Sequence, residues 1–146
     1  MLLRFFGLLP FIILFLITTG CTPVQIANPE QDVMAKSFTV DSDKSNIYIY
    51  RNETYNFDTT MAVEIDGIHA GDTKEKTFIL QTVKPGKHIV TAHGENTSEI
   101  ELLTEAGKNY FVWLEVAVGA FIPAARLHEV NSEIGKSGVN ECTLVK

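Results

Sequence analysis

After residue 45 the chain is a succession of short apolar runs, each closed by turn-forming residues, at a spacing of roughly ten residues. This pattern constrains the fold more than any other feature. Ile47-Tyr48-Ile49-Tyr50 is dense in β-branched and aromatic side chains, and Met61-Ala62-Val63-Glu64-Ile65 sets Met61, Val63 and Ile65 on one face. Asp66-Gly67 tolerates positive φ and marks a tight reversal into residues 68–70. Residues 77–80 form a further run, and Lys84-Pro85-Gly86-Lys87 supplies a proline-fixed turn before the alternating residues 88–93. Residues 97–103 set Ile100 and Leu102 against Glu99 and Glu101, and Ala106-Gly107-Lys108 turns the chain again. The expected class is mainly β: an antiparallel β-sandwich of about seven strands, or a partial barrel.

The longest run, residues 109–118, places Tyr110, Val112, Leu114, Val116 and Val118 on one face and Phe111, Trp113, Glu115 and Ala117 on the other. Its first half is apolar on both sides, so it is expected to be central and covered twice. The carboxy-terminal segment is the candidate cover. Ile134, Gly138, Cys142 and Val145 fall near helical spacing, with Gly135 and Gly138 weakening a helix, and a final strand over residues 139–145 is the competing reading.

The amino terminus has a different composition. Arg4 precedes a nearly all-apolar run over residues 5–17, and Thr18, Thr19 and Gly20 lead into Cys21, the order of a secretory signal peptide. The run is shorter than the roughly 20 apolar residues that a spanning helix needs. Thr18-Thr19-Gly20-Cys21 resembles the bacterial lipobox, with Thr18 where lipobox proteins usually carry Leu. By that resemblance Cys21 receives a diacylglyceryl thioether and its new amino terminus is acylated. Stable anchoring takes at least two acyl chains, each buried methylene contributing about 0.8 kcal/mol, and this modification supplies them. The expected division is a signal peptide over residues 1–20, a lipidated tether over 21–45 that holds at most one strand near 37–40, and a β-sandwich domain over 46–146. The tether reading rests on Pro23, Asn28, Pro29 and the lack of sustained periodicity.

The whole chain has 146 residues, enough for one modest domain, and its 45% hydrophobic and 21% charged residues are ordinary globular usage. All acidic residues follow Gly20, so loss of Arg4 with the signal leaves 11 basic against 18 acidic residues, a net charge of −7. That balance argues against nucleic acid and against electrostatic adhesion to anionic lipid. The only cysteine besides Cys21 is Cys142, flanked by Glu141 and Thr143 and expected to be a buried, inert thiol.

Ile47-Tyr48-Ile49-Tyr50-Arg51, Val63-Glu64-Ile65-Asp66-Gly67, Pro85-Gly86-Lys87-His88, Ala106-Gly107-Lys108-Asn109-Tyr110 and Arg126-Leu127 resemble the successive blocks of a family of bacterial lipoproteins built on a domain of unknown function. The resemblance spans residues 47–146. The middle part, with Asp66-Gly67, Gly71 and the Pro-Gly-Lys-His turn, is similar to the small β-sandwich modules known as PEGA domains. The resemblance implies a prealbumin-like or immunoglobulin-like sandwich and no activity.

Residues that could carry chemistry are sparse. His88 and His93 are five apart on one expected strand and point to opposite faces, while His69 lies in a turn region and His128 near a late strand, so four separate histidines are expected rather than a metal site. Gly135-Lys136-Ser137 ends like a phosphate-binding loop, but Val130 stands where that loop needs a glycine. No Gly-x-Ser-x-Gly elbow is present. Glu99 and Glu101 share a strand face, a spacing that usually marks a solvated face. Tyr48 and Tyr50 share one face, as do Phe111 and Trp113; adjoining and uncovered, they would make an aromatic platform for a peptide, glycan or protein, and covered they are core. The apolar stretch over residues 119–125 is expected to pack against the sandwich end.

The reading is a non-enzymatic, lipid-anchored envelope protein that binds a partner or serves a structural role, with no catalytic residue, metal or cofactor. Its contacts are the membrane through the anchor, an envelope protein, and no nucleic acid. Thr22 after the cysteine implies, by resemblance to sorting rules in double-membrane bacteria, the outer membrane facing the periplasm. The alternatives are an envelope hydrolase or metal-dependent enzyme whose site assembles from distant residues, and an accessory or inhibitor subunit working through a strand edge.

Overall fold

A computed structural model describes residues 23–54 and 59–146. The expected signal peptide and Cys21 lie outside these residues. Among the described residues no helix is long and apolar enough to cross a membrane.

The chain folds as α1 (Pro29–Ala35), β1 (Ser45–Arg51), β2 (Met61–Ile65), β3 (Ile68–Thr73), β4 (Thr77–Val83), β5 (Gly86–His93), β6 (Thr97–Thr104), β7 (Lys108–Ala117), β8 (Ala124–Val130), α2 (Ser132–Asn140) and β9 (Thr143–Leu144). The strands form a five-stranded sheet in the order β8-β7-β1-β4-β9 and a four-stranded sheet in the order β3-β2-β5-β6. The mainly β expectation holds, with nine strands among the described residues rather than about seven. The sheets are not wholly antiparallel: β1 runs parallel to β7 and β4 parallel to β9.

The inner faces meet in one apolar core. Ile47 and Ile49 from β1, Val112, Leu114 and Val116 from β7, and Ile79 from β4 face Met61, Val63, Val90, Ala92 and Leu102 of the other sheet. Period-two alternation puts these residues on one side of each strand. Asp66 and Gly67, with φ of 54° and 75°, close the β2–β3 hairpin with both central residues at positive φ, as a two-residue type I′ loop demands.

A second apolar layer lies on the outer face of the five-stranded sheet, where Tyr48, Tyr50, Phe78 and Phe111 are packed with Ala35, Val139 and Cys142. β1 is therefore covered on both sides, and all seven of its residues are buried. β1 takes the middle position of the sheet, and the run 109–118, which forms β7 between β8 and β1, is covered twice as expected, with Val112 and Leu114 in the inter-sheet core and Phe111 under Gly135 of α2. Ile47-Tyr48-Ile49-Tyr50 is likewise apolar on both faces.

The two readings of the carboxy terminus are both realised, as α2 followed by β9. The helix starts at Asn131, whose side chain accepts a hydrogen bond from the Ile134 N–H at 3.0 Å. Its buried residues are Gly135, Gly138 and Val139, whereas Ile134, expected on the inner face, is 54% exposed. The glycines allow close approach: a Cβ on Gly135 would lie 2.2 Å from Phe111 Cγ, and one on Gly138 2.1 Å from Tyr50 Cε2. Residues that weaken the helix in isolation are those that let it lie flat on two aromatic rings.

The segment expected to be a tether is folded on the domain from its described beginning. Ile26 bridges Val145 in antiparallel sense, the Ala27 N–H donates to the Leu144 carbonyl at 2.9 Å, and the Lys146 N–H donates to the Gln25 carbonyl at 2.8 Å. Asn28 and Pro29, which suggest irregular chain, are a helix start: Asn28 caps α1 in a capping box with Gln31, and Pro29 fills the first helical turn. Residues 37–40 form no strand. Phe38, at φ 55°, instead turns its ring onto Tyr48 and Phe111, with centroids 5.4 and 5.9 Å apart.

Candidate interaction surface

The four aromatic residues of the expected platform do adjoin, because the parallel register pairs Tyr48 with Phe111 and Tyr50 with Trp113. They are covered. Tyr48 and Phe111 stack with centroids 5.1 Å apart, and Tyr48 donates its hydroxyl hydrogen to the Ala35 carbonyl at 3.0 Å. Tyr48, Tyr50 and Phe111 are core beneath α1, Phe38 and α2, which removes them as a partner-binding face. Burial pushes the Tyr48 hydroxyl pKa up to about 12. Trp113 alone is part-exposed, and it stacks on His128 with centroids 5.1 Å apart.

The histidines occupy four separate positions. His88 is held at both ring nitrogens: Nδ1 lies 2.7 Å from the Asp66 carboxylate and Nε2 2.8 Å from the Lys84 carbonyl. Both partners accept hydrogen bonds, and only the imidazolium carries two N–H groups to give. Burial works against that charge, but Asp66 and the Lys84 carbonyl outweigh it and hold the pKa above the ordinary histidine value. His128 Nε2 meets Glu115 at 2.8 Å, His93 lies 3.2 Å from Glu64, and His69, on β3 rather than in a turn, lies 3.8 Å from Asp72. Among the described residues no group of three or more His, Cys, Asp or Glu side chains could hold a metal ion. Cys142 is buried, and burial pushes its thiol up to about 12.

The most exposed apolar feature is the β7–β8 loop, which does not pack against the sandwich end as its composition suggests. Val118 and Phe121 are each 95% exposed and Ile122 is 55% exposed. The backbone beneath them is nonetheless tied down. Glu95 Oε2 accepts the N–H groups of Phe121 and Ile122 at 3.0 and 3.2 Å, and the Glu95 N–H donates to the Pro123 carbonyl at 3.0 Å. The Phe121 N–H, opposed in part by desolvation and joined by the Ile122 and Ala120 N–H groups, holds the Glu95 carboxyl below its ordinary range. Asn96 clamps the loop's far end, with its Oδ1 accepting from the Ala125 N–H at 2.8 Å and its Nδ2 donating to the Ala125 carbonyl at 2.9 Å. Val116, Ala117, Val118, Phe121, Ile122 and Pro123 line a hollow of about 160 Å³. The apolar run is visible in the sequence; its ties to Glu95 and Asn96, from a different sheet, are not.

These features define a small two-sheet β domain with a helix-covered outer face and a fixed apolar loop at one end. The chain belongs to the family described as "Protein of unknown function (DUF2846)", whose model matches residues 41–124. It is also 29% identical over 131 residues to an "Uncharacterized protein" of Haemophilus influenzae (strain ATCC 51907 / DSM 11121 / KW20 / Rd), an alignment covering 88% of this chain and 78% of that one. The family match includes β1 to β7 and the apolar loop and stops short of α2 and β9.

Proposed function

We propose that this chain is a lipid-anchored envelope protein that works by binding a partner rather than by catalysis. The observation that carries the reading is the sequence Arg4, apolar run, Thr18-Thr19-Gly20-Cys21, followed closely by Val24, which packs on the core, and Ile26, which pairs with Val145. A diacylglyceryl thioether on Cys21 would hold this domain within a few residues of the bilayer, in place of a long flexible stalk. The fixed, solvent-facing Val118, Phe121 and Ile122 support the binding role, since exposed apolar side chains on a tied backbone suit recognition better than they suit solubility. In a double-membrane bacterium the expected location is the outer membrane, facing the periplasm.

Metabolic labelling with an alkyne fatty acid, on the full-length protein and on Cys21→Ala, tests the anchor. The expected result is label and membrane partition for the first and neither for the second. Equal labelling, or none in the unaltered protein, refutes it.

A further inference from the structure

The strand directions place the point where the chain enters the fold at one end of the sandwich. β9 runs parallel to β4, and the entering segment pairs antiparallel to β9 through Ile26 and Val145. Traced back from Ala27, that segment descends in the direction in which β4 runs, towards the end that holds the Ser45–Val83 pair and the turn over residues 84–85. Pro23 comes to lie beside His69, close to the Asp66-Gly67 turn that closes the β2–β3 hairpin at the same end. Two residues of backbone reach only about 7 Å. An acylated Cys21 therefore stays at this end of the molecule.

Exposed branched side chains line this end of the four-stranded sheet. Ile68 and Leu103 are 74% and 73% exposed, and Ile89 is also exposed. Ile68 lies across from Ile65, which pairs with Val90, the neighbour of Ile89. Val90 and Leu102 point into the core, so Ile89 and Leu103 point to the outer face, where the register makes them diagonal neighbours. Among the described residues neither helix covers that face, since both pack on the five-stranded sheet. The surrounding turns are close to neutral although the domain is acidic, because Lys44, Lys87 and Lys108 lie 3.5, 2.6 and 2.7 Å from Asp43, Glu101 and Glu105.

We infer that this end of the sandwich rests on the bilayer that holds Cys21, with Ile68 and Leu103 seated at the boundary between headgroups and acyl chains. The inference rests on the Cys21 anchor and adds to it an orientation and a lipid-contact surface. Single exposed apolar residues are ordinary on protein surfaces; these are set apart by a tether too short to hold them away from lipid. The acyl chains keep the bilayer at high effective concentration, so burial of two side chains suffices to fix the orientation. The balanced turns present no excess of carboxylates to anionic headgroups. Two other exposed apolar sites lie elsewhere. Phe121 is at the opposite end, roughly 25 Å away along the eight residues of β5, and Met34 is on α1, over the other sheet.

The test uses the full-length protein, expressed with its own amino terminus, purified from membranes and held in nanodiscs of phosphatidylethanolamine and phosphatidylglycerol. Benzoylphenylalanine replaces Ile68, Leu103, Met34 or Phe121 in turn, and mass spectrometry maps the adducts formed on irradiation. All four side chains are solvent-facing, so each variant should keep the wild-type melting temperature. Lipid adducts at positions 68 and 103 should exceed those at 34 and 121 at least about fivefold, because a contact zone about 5–10 Å deep does not extend to the far end or the other sheet. Lipid labelling at 34 or 121 as strong as at 68 would overturn the orientation. Adducts from 68 and 103 to protein in place of lipid, whether a second copy or another chain, would overturn the lipid contact. The intact mass of the same preparation reports the acyl groups. An acylated protein without lipid adducts at 68 and 103 would refute this inference and leave the anchor standing, whereas a protein without acyl groups would refute both.

Discussion

Replacing Gly138 with alanine should destabilise the protein, against the usual preference of helices for alanine. The added Cβ would lie 2.1 Å from Tyr50 Cε2 and 2.5 Å from Cζ, whereas carbon atoms in contact sit about 3.5–4.0 Å apart. Relief needs a displacement of roughly 1.5 Å, and Tyr50, 3% exposed within the outer-face layer, has no free space to take it. Alanine gains about 0.8–1 kcal/mol in helix propensity over glycine, while overpacking typically costs about 1–3 kcal/mol and at this overlap belongs at the upper end. The net expectation is a loss of about 1–2 kcal/mol, a large share of a total of about 5–15 kcal/mol. Gly135→Ala meets Phe111 Cγ at 2.2 Å and should behave alike. The double variant should cost less than the sum, because lifting α2 relieves both overlaps. Urea unfolding followed by Trp113 fluorescence measures this, with the exposed Ser137→Ala as a control expected to shift stability by no more than about 0.5 kcal/mol. A Gly138→Ala protein as stable as the parent would refute the close-packed placement of α2.

Three further outcomes follow from the geometry. His88 has a raised folded-state pKa, so its contribution is fully present below the ordinary histidine value and is lost as pH rises through the folded value; Asp66, lowered by the hydrogen bonds from His88 and the Ile89 N–H, contributes above the ordinary carboxylate range and is lost as pH falls through its folded value. Urea midpoints across pH 3 to 9 should therefore show a component from this pair that peaks between those ranges and vanishes in His88→Gln, and an unchanged profile in that variant would contradict it. Asn131→Ala removes the side-chain acceptor for the Ile134 N–H and should cost about 1 kcal/mol in the same measurement, and no loss would show that the cap contributes nothing. Cys142, 2% exposed, should resist iodoacetamide in native buffer and react promptly in urea; fast native labelling would mean that the segment after α2 opens readily.

Most strands were legible because period-two alternation and local turn chemistry are short-range signals, as in Met61 to Ile65 followed by Asp66-Gly67. The double coverage of β1 was not decided by Ile47-Tyr48-Ile49-Tyr50, whose aromatic face could have been open, and its place at the sheet centre depends on pairing with Lys108 to Trp113, about sixty residues away in sequence. α1 was not legible because Asn28 and Pro29 serve equally as loop residues and as a helix start. α2 was half legible: glycine lowers helix propensity everywhere, and only the aromatic rings beneath Gly135 and Gly138 reverse the sign. For the aromatic residues, the sequence established the shared faces and left open whether they were covered. The apolar loop was visible and its exposure was not, since Glu95 and Asn96 hold it from another sheet.

Mass spectrometry of the mature amino-terminal peptide tests the central claim most directly. The account predicts a peptide that begins at Cys21, with a diacylglyceryl group on sulfur and an acyl group on nitrogen. A peptide that retains Met1, or an unmodified Cys21, would contradict it.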